Sequence, residues 1–195
     1  MDKTLYLLRE SGAMLEGHFL LSSGRHSDKY FQCARLLQYP DKAKDALEQC
    51  AQKIKTDIKN GKLKVDVVAG PAMGGIIAAY EMARQLNLPT IFTERDDKGK
   101  MTLRRFELEQ GQNVLIMEDV VTTGKSYLEC ASALEQRGAV ISALACIVDR
   151  RAQDAKDAPY PFYCAVKLKA ENWDADDCEL CKKGIPAVKP GSRKI

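Results

Sequence analysis

Two adjacent carboxylates followed by hydroxyls and a glycine stand out in Glu118-Asp119-Val120-Val121-Thr122-Thr123-Gly124-Lys125-Ser126-Tyr127. The stretch follows the apolar run Val114-Leu115-Ile116-Met117, so it reads as a strand end turning into a helix. A helix N-terminus rich in Thr, Gly and Ser is an anion site, because unpaired backbone N–H groups converge there. Gly124-Lys125-Ser126 also matches the ending of a P-loop, G-x-x-x-x-G-K-[ST]. The first glycine of that pattern falls at Asp119, whose side chain and charge keep the backbone from wrapping a polyphosphate. The turn therefore suits one phosphate ester, with Glu118 and Asp119 facing hydroxyls or a metal. A sugar phosphate carries both features. The alternative is an N-capped turn with a solvated acidic pair.

Four other segments carry groups of the same kind. Gly70-Pro71-Ala72-Met73-Gly74-Gly75 puts small residues at a strand end, where backbone N–H groups can approach a pyrophosphate. Glu94 to Arg105 is a polar loop rich in Lys and Arg, either a solvated surface or a set of mobile cations. Val148-Asp149-Arg150-Arg151 ends a further strand, and an arginine there either pairs with a planar carboxylate or caps the strand as a surface cation. Gly17 to Phe31 is too polar and Gly/Ser-rich for a core element, and it ends in the aromatic pair Tyr30-Phe31. His18 and His26 within it read as surface histidines, since nothing here calls for proton transfer by imidazole.

These segments need a frame. The chain has 195 residues and 45% hydrophobic residues, enough for one domain with a packed core. A formal charge of +3 suits small anions and argues against nucleic-acid binding. No apolar run reaches membrane-spanning length, and the N-terminus lacks a signal-peptide core. Of seven cysteines, Cys33, Cys50, Cys130, Cys146 and Cys164 sit in apolar surroundings and read as buried free thiols. Cys178 and Cys181 form a C-x-x-C pair, half a zinc site, with no second pair or His pair following it. Metal or redox use competes there with a plain local turn. A reducing, cytoplasmic compartment is the simplest reading.

The periodicity predicts helices over 2–16, 41–59, 75–85 and 127–136, and strands at 65–69, 90–93, 114–117, 140–148 and 162–168. Strands that are apolar throughout and alternate with helices imply an α/β domain with a mostly parallel sheet covered on both faces. Ligands bind such sheets beyond the strands' carboxyl ends, where four of the five segments fall.

On these residues the chain resembles the type I phosphoribosyltransferases, which use phosphoribosyl pyrophosphate (PRPP). Four apolar residues, two acids and V-V-T-T-G-K-S match that family's signature, and the resemblance runs from about Gly17 to Ser192. It implies one domain over 1–195, with a core at about 60–168 and a small hood from about 1–40 and 169–195. It further implies that Glu118 and Asp119 hold the ribose 2′ and 3′ hydroxyls. Val120, Val121, Thr122, Thr123, Gly124, Lys125 and Ser126 would surround the 5′-phosphate. Ala72 would meet the pyrophosphate with Arg95, Lys98 and Lys100, which the family supplies from a loop of the neighbouring subunit of a homodimer. Asp119, Lys98 and Arg95 take the catalytic places.

The segment F-L-L-S-S-G-R-H-S with Tyr30-Phe31 is similar to the orotate-using branch of the family. That implies Tyr30, Phe31, Thr122 and Arg150 at the base, Mg²⁺ held mainly by PRPP with no direct protein ligand, and orotidine 5′-monophosphate as product, on the pyrimidine route to UMP. Ser22 and Gly74 stand where several relatives carry lysine; Arg25 and Lys29 are nearby substitutes for the first. A purine or uracil phosphoribosyltransferase, a PRPP-sensing regulator and a P-loop kinase are the alternatives.

Overall fold

The computed structural model describes residues 2–21, 23–151 and 158–190. In chain order the elements are α1 (Lys3–Glu10), β1 (Met14–Leu20), β2 (His26–Phe31), α2 (Ala34–Leu37), α3 (Pro40–Lys59), β3 (Val67–Pro71) and α4 (Gly74–Leu86). Then come β4 (Thr90–Arg95), β5 (Met101–Thr102), β6 (Asn113–Val121), α5 (Lys125–Glu135), β7 (Val140–Asp149) and β8 (Phe162–Lys167). β9 (Asn172–Trp173), a 3₁₀ turn (Ala175–Asp177) and α6 (Glu179–Lys182) complete the set.

Six strands form one sheet in the order β5-β4-β3-β6-β7-β8. Only β5 runs antiparallel to its neighbour. Period-2 alternation along the central strands splits the core in two. Leu115 and Met117 of β6, with Ala143, Ala145 and Ile147 of β7, face Ala46, Leu47 and Ile54 of α3 and Ala78 and Met82 of α4. Val114 and Ile116 of β6, with Leu144 and Cys146 of β7, face Tyr127, Cys130 and Leu134 of α5. Both faces are therefore covered, as a parallel sheet demands.

α3 starts with Pro40 in its first turn and buries Ala46, Leu47, Cys50, Ala51 and Ile54, the stripe that helical spacing sets apart. α4 ends where Asn87 adopts a left-handed conformation at φ 58°.

The predicted helix over 2–16 is corrected. α1 stops at Glu10 because the Ser11 N–H and hydroxyl turn back onto the Leu7 carbonyl, and Gly12 at φ +67° redirects the chain into β1. β1, β2 and β9 make a second, antiparallel sheet, and Phe19 bridges to Val188. This hood joins the start of the chain to its end. Among the described residues no helix is long and apolar enough to cross a membrane.

Candidate active site

β6 continues past its buried apolar stretch through Glu118 and Asp119, so the two acids lie in the strand itself, near its carboxyl end. Alternation sends them to opposite faces. Glu118 lines a depression with Val120, Val121 and residues 122–127. Asp119 lies on the side of α4 and Cys33: a Cβ added at Gly74 would run into the Asp119 carboxylate. That contact favours glycine at position 74.

Burial, reinforced by the neighbouring Asp119, pushes the Glu118 carboxyl up from 4.5 to about 8. Burial also raises Asp119, opposed by backbone hydrogen bonds, with the Val120 N–H donating to its Oδ1 at 2.8 Å. Glu118 Oε2 is buried without a hydrogen-bond partner. Carboxylates in that condition call for hydroxyl donors or a cation.

The turn opens α5. Gly124 takes φ +81° at its N-cap, and a Cβ there would lie 2.6 Å from the Tyr127 ring. Thr122 and Thr123 stay exposed at the helix N-terminus, with the first-turn amides close by. Lys125 is largely exposed and stands 3.9 Å from Glu129. At the end of β3, the Ala72 amide donates to the Thr93 carbonyl at 2.7 Å. That bond engages the Ala72 amide within the protein, and the first turn of α4 opens two residues on, at Gly74.

The two arginines after β7 separate. Arg151 makes a bidentate pair with buried Asp149 at 3.0 Å and covers the Phe162 ring at 3.7 Å. Arg150 turns the other way. Its guanidinium lies 4.8 Å from the Phe31 ring centre, and its Nε is buried and unpartnered. Burial lowers its pKa while Asp28 opposes the shift. The aromatic pair splits likewise, since Phe31 meets Arg150 while Tyr30 packs on Phe19, 5.9 Å away.

The basic segment is a hairpin rather than an open loop. Asp96 Oδ1 accepts from the amides of Lys98 and Lys100, both at 2.9 Å, and Met101 and Leu103 are buried. Arg95 pairs with Glu129 of α5 and donates to the Gly99 carbonyl at 2.6 Å. The Lys98 and Lys100 side chains are exposed at the tip. Ser22 lies outside the described residues. Its proposed substitutes are engaged elsewhere: Lys29 pairs with Asp28, and Arg25 reaches the Asn172 carbonyl at 3.2 Å.

Two expectations are overturned in the hood. His18 and His26 are buried, not surface, because the C-terminal segment packs over β1 and β2. The missing His pair of the half zinc site precedes the C-x-x-C by more than a hundred residues and meets it in space. The larger depression, of about 390 Å³, is lined by hood residues such as His18, Lys29 and Ile185, and none from the sheet's edge.

An acid pair, a phosphate-type turn and a half-buried arginine at the carboxyl edge of a parallel sheet define a sugar-phosphate-binding α/β protein. The phosphoribosyl transferase domain family matches residues 37–179. The orotate phosphoribosyltransferase of Caldicellulosiruptor bescii is 45% identical over 99% of this chain and 98% of its own. The solved orotate phosphoribosyltransferase of Aeropyrum pernix aligns with a TM-score of 0.69 at 28% identity, covering 86% of this chain and 94% of that one. The UMP synthase of Leishmania donovani gives 0.71 at 26% identity, over 86% of this chain and 36% of its own. The chain belongs to the phosphoribosyltransferases, in their orotate branch, and is a pentosyl-transferring enzyme.

Proposed function

We propose that the chain transfers the ribosyl 5-phosphate group of PRPP to N1 of orotate, giving orotidine 5′-monophosphate and pyrophosphate in de novo UMP synthesis. One observation carries the reading. Among the described residues, the buried side-chain polar atoms left without a partner are Glu118 Oε2 and Arg150 Nε. Their strand ends are tied together, with the Arg150 amide donating to the Val121 carbonyl at 2.8 Å. A substrate pair bringing a diol and a planar carboxylate fits both.

Bond breaking at the anomeric carbon leaves an oxocarbenium-like sugar, so the protein's task is placement and electrostatics. Glu118 and Asp119 hold the ribose hydroxyls and offset the positive charge. The turn of Thr122, Thr123, Gly124, Lys125 and Ser126 holds the 5′-phosphate. Arg150 orients the orotate carboxylate, with Phe31 beneath it and Thr122 and Tyr30 bordering the base. Lys98, Lys100 and Arg95 meet the leaving pyrophosphate at the start of α4. Mg²⁺, held mainly by PRPP with no direct protein ligand, would offset the charge of that leaving group.

The hairpin acts in trans within a homodimer. Its lysines project from the tip, and Met73, Ile77 and Tyr80 leave an exposed apolar stripe along α4 that a second copy would cover. The seven thiols, free in the structure, suit a reducing cytoplasm.

Orotate absorbance followed with PRPP and Mg²⁺, beside uracil, hypoxanthine and adenine, tests the reaction. Consumption of orotate alone is expected, and use of another base without orotate would overturn it. Run on mixed Lys98→Ala and Arg150→Ala subunits, the same assay tests the hairpin. Recovered activity is expected, and none would place the hairpin over its own subunit's site.

A further inference from the structure

We propose that His18, His26, Cys178 and Cys181 form a closed zinc site that clips the C-terminal segment to the β1–β2 hairpin. Their ligand atoms all lie within 4.8 Å of one another, although the residues come from opposite ends of the chain. Cys178 Sγ is 3.3 Å from His18 Nε2, and Cys181 Sγ is 3.3 Å from His26 Nδ1. Cys181 Sγ lies 3.9 Å from His18 Nε2, and the two ring nitrogens are 2.7 Å apart. With Zn–S of about 2.3 Å and Zn–N of about 2.0–2.1 Å, tetrahedral neighbours stand roughly 3.4–3.8 Å apart. A fractional opening of the His pair admits the ion.

The chemistry of the four atoms points the same way. Two thiols and two ring nitrogens converge on one point, more lone pairs than the available protons can satisfy. Thiolate and imidazole together select zinc over hard cations. The other nitrogen of His18, Nδ1, lies 2.7 Å from the Ile185 carbonyl, which accepts its proton and leaves Nε2 free to ligate. Cys178 is fully buried and His18 and His26 nearly so, which excludes water from three of the four ligands. With four protein ligands and no open position, the site is structural.

The hood also requires such a clip. From residue 171 to 190, Cys178 is the one buried residue. Hydrophobic burial therefore contributes little to holding this segment, which is tied down by polar contacts such as Leu20 N–H to Val188 O at 2.9 Å, Ser27 Oγ to Glu171 O at 2.8 Å and Arg25 to Asn172 O at 3.2 Å. β2 runs from His26 to Phe31, so the ion would anchor the strand that carries Tyr30 and Phe31.

Elemental analysis of the full chain purified without chelator tests this. About one zinc per chain is expected, with Cys178 and Cys181 protected from alkylation until a chelator strips the ion. In the stripped protein, amides of residues 26–31 and 172–188 should lose hydrogen-exchange protection while those of β6 keep theirs. The exposed ligand variant, Cys181→Ser, should bind zinc at least tenfold more weakly. Metal-free protein with freely reactive thiols, a Cys178–Cys181 disulfide, or unchanged zinc binding by Cys181→Ser would each overturn the site. All these readouts need no substrate, so their failure leaves the transfer reaction standing.

Discussion

The carboxyl edge of the large sheet and the hood both present side chains to the proposed substrates, yet they are held by different forces. Behind Glu118 and Asp119 lie Val114, Leu115, Ile116 and Met117, each almost wholly buried between two helical layers. Burial of such side chains contributes about 1.5–3 kcal/mol apiece, so the edge inherits a rigid backbone. Behind Tyr30 and Phe31 there is a three-stranded sheet whose last strand has two residues. Its cohesion comes from hydrogen bonds between its strands and the C-terminal segment and from a Cys/His cluster. A rigid edge can hold two desolvated carboxylates in an unfavourable state; a thin hood can instead close and open over a base.

The largest effect is expected at the edge. Asp119→Asn keeps the shape and removes the charge that offsets the oxocarbenium-like sugar. Turnover per PRPP bound should fall on the order of 100-fold, in line with lost charge-assisted contacts. The melting temperature should hold or rise, because a costly buried charge is gone. Steady-state kinetics beside a thermal melt check both. Wild-type turnover in the variant would remove Asp119 from the reaction.

A smaller effect is expected when the hood alone is loosened. Ser27 is fully buried on β2, and its hydroxyl donates to the Glu171 carbonyl at 2.8 Å. Ser27→Ala removes the shorter of that carbonyl's two hydrogen bonds, leaving the Asp28 N–H at 3.3 Å, at a cost of about 1 kcal/mol. The KM for orotate should rise several-fold while the KM for PRPP stays put. Equal shifts in both constants would mean that hood and edge are one mechanical unit.

The same contrast decides what sequence could disclose. The sheet was legible because period-2 and period-3.6 burial write themselves into residue order: the inward stripe of α3 and the strand run at 114–117 needed no tertiary knowledge. The acid pair and the turn were legible for a related reason, since contiguous residues build them. The hood was not. Its strands are short and polar, so their periodicity is weak, and helical spacing runs on into the start of β1. The Cys/His cluster joins residues from opposite ends of the chain, and no local spacing around Cys178 and Cys181 points to His18 and His26. Sequence spacing also could not show that Arg150 and Arg151 diverge, or that Gly74 lies against Asp119.

The subtlest test concerns Glu118 itself. Its carboxyl titrates near 4.5 when exposed and at about 8 in the folded chain. Between those values the folded state binds more protons than the unfolded one, so the free protein loses stability as pH rises through that window. Glu118→Gln removes the titration, and the variant should gain melting temperature over the wild type progressively from about pH 5 to about pH 8. Parallel melting curves across that range would refute the burial effect. Hydroxyl donors favour the ionised form, so PRPP should bind wild type more tightly as pH climbs toward 8, with a proton released on binding. Glu118→Gln should lose that slope. Glu118 Oε2 destabilises the empty edge because it waits for a donor that the ribose supplies.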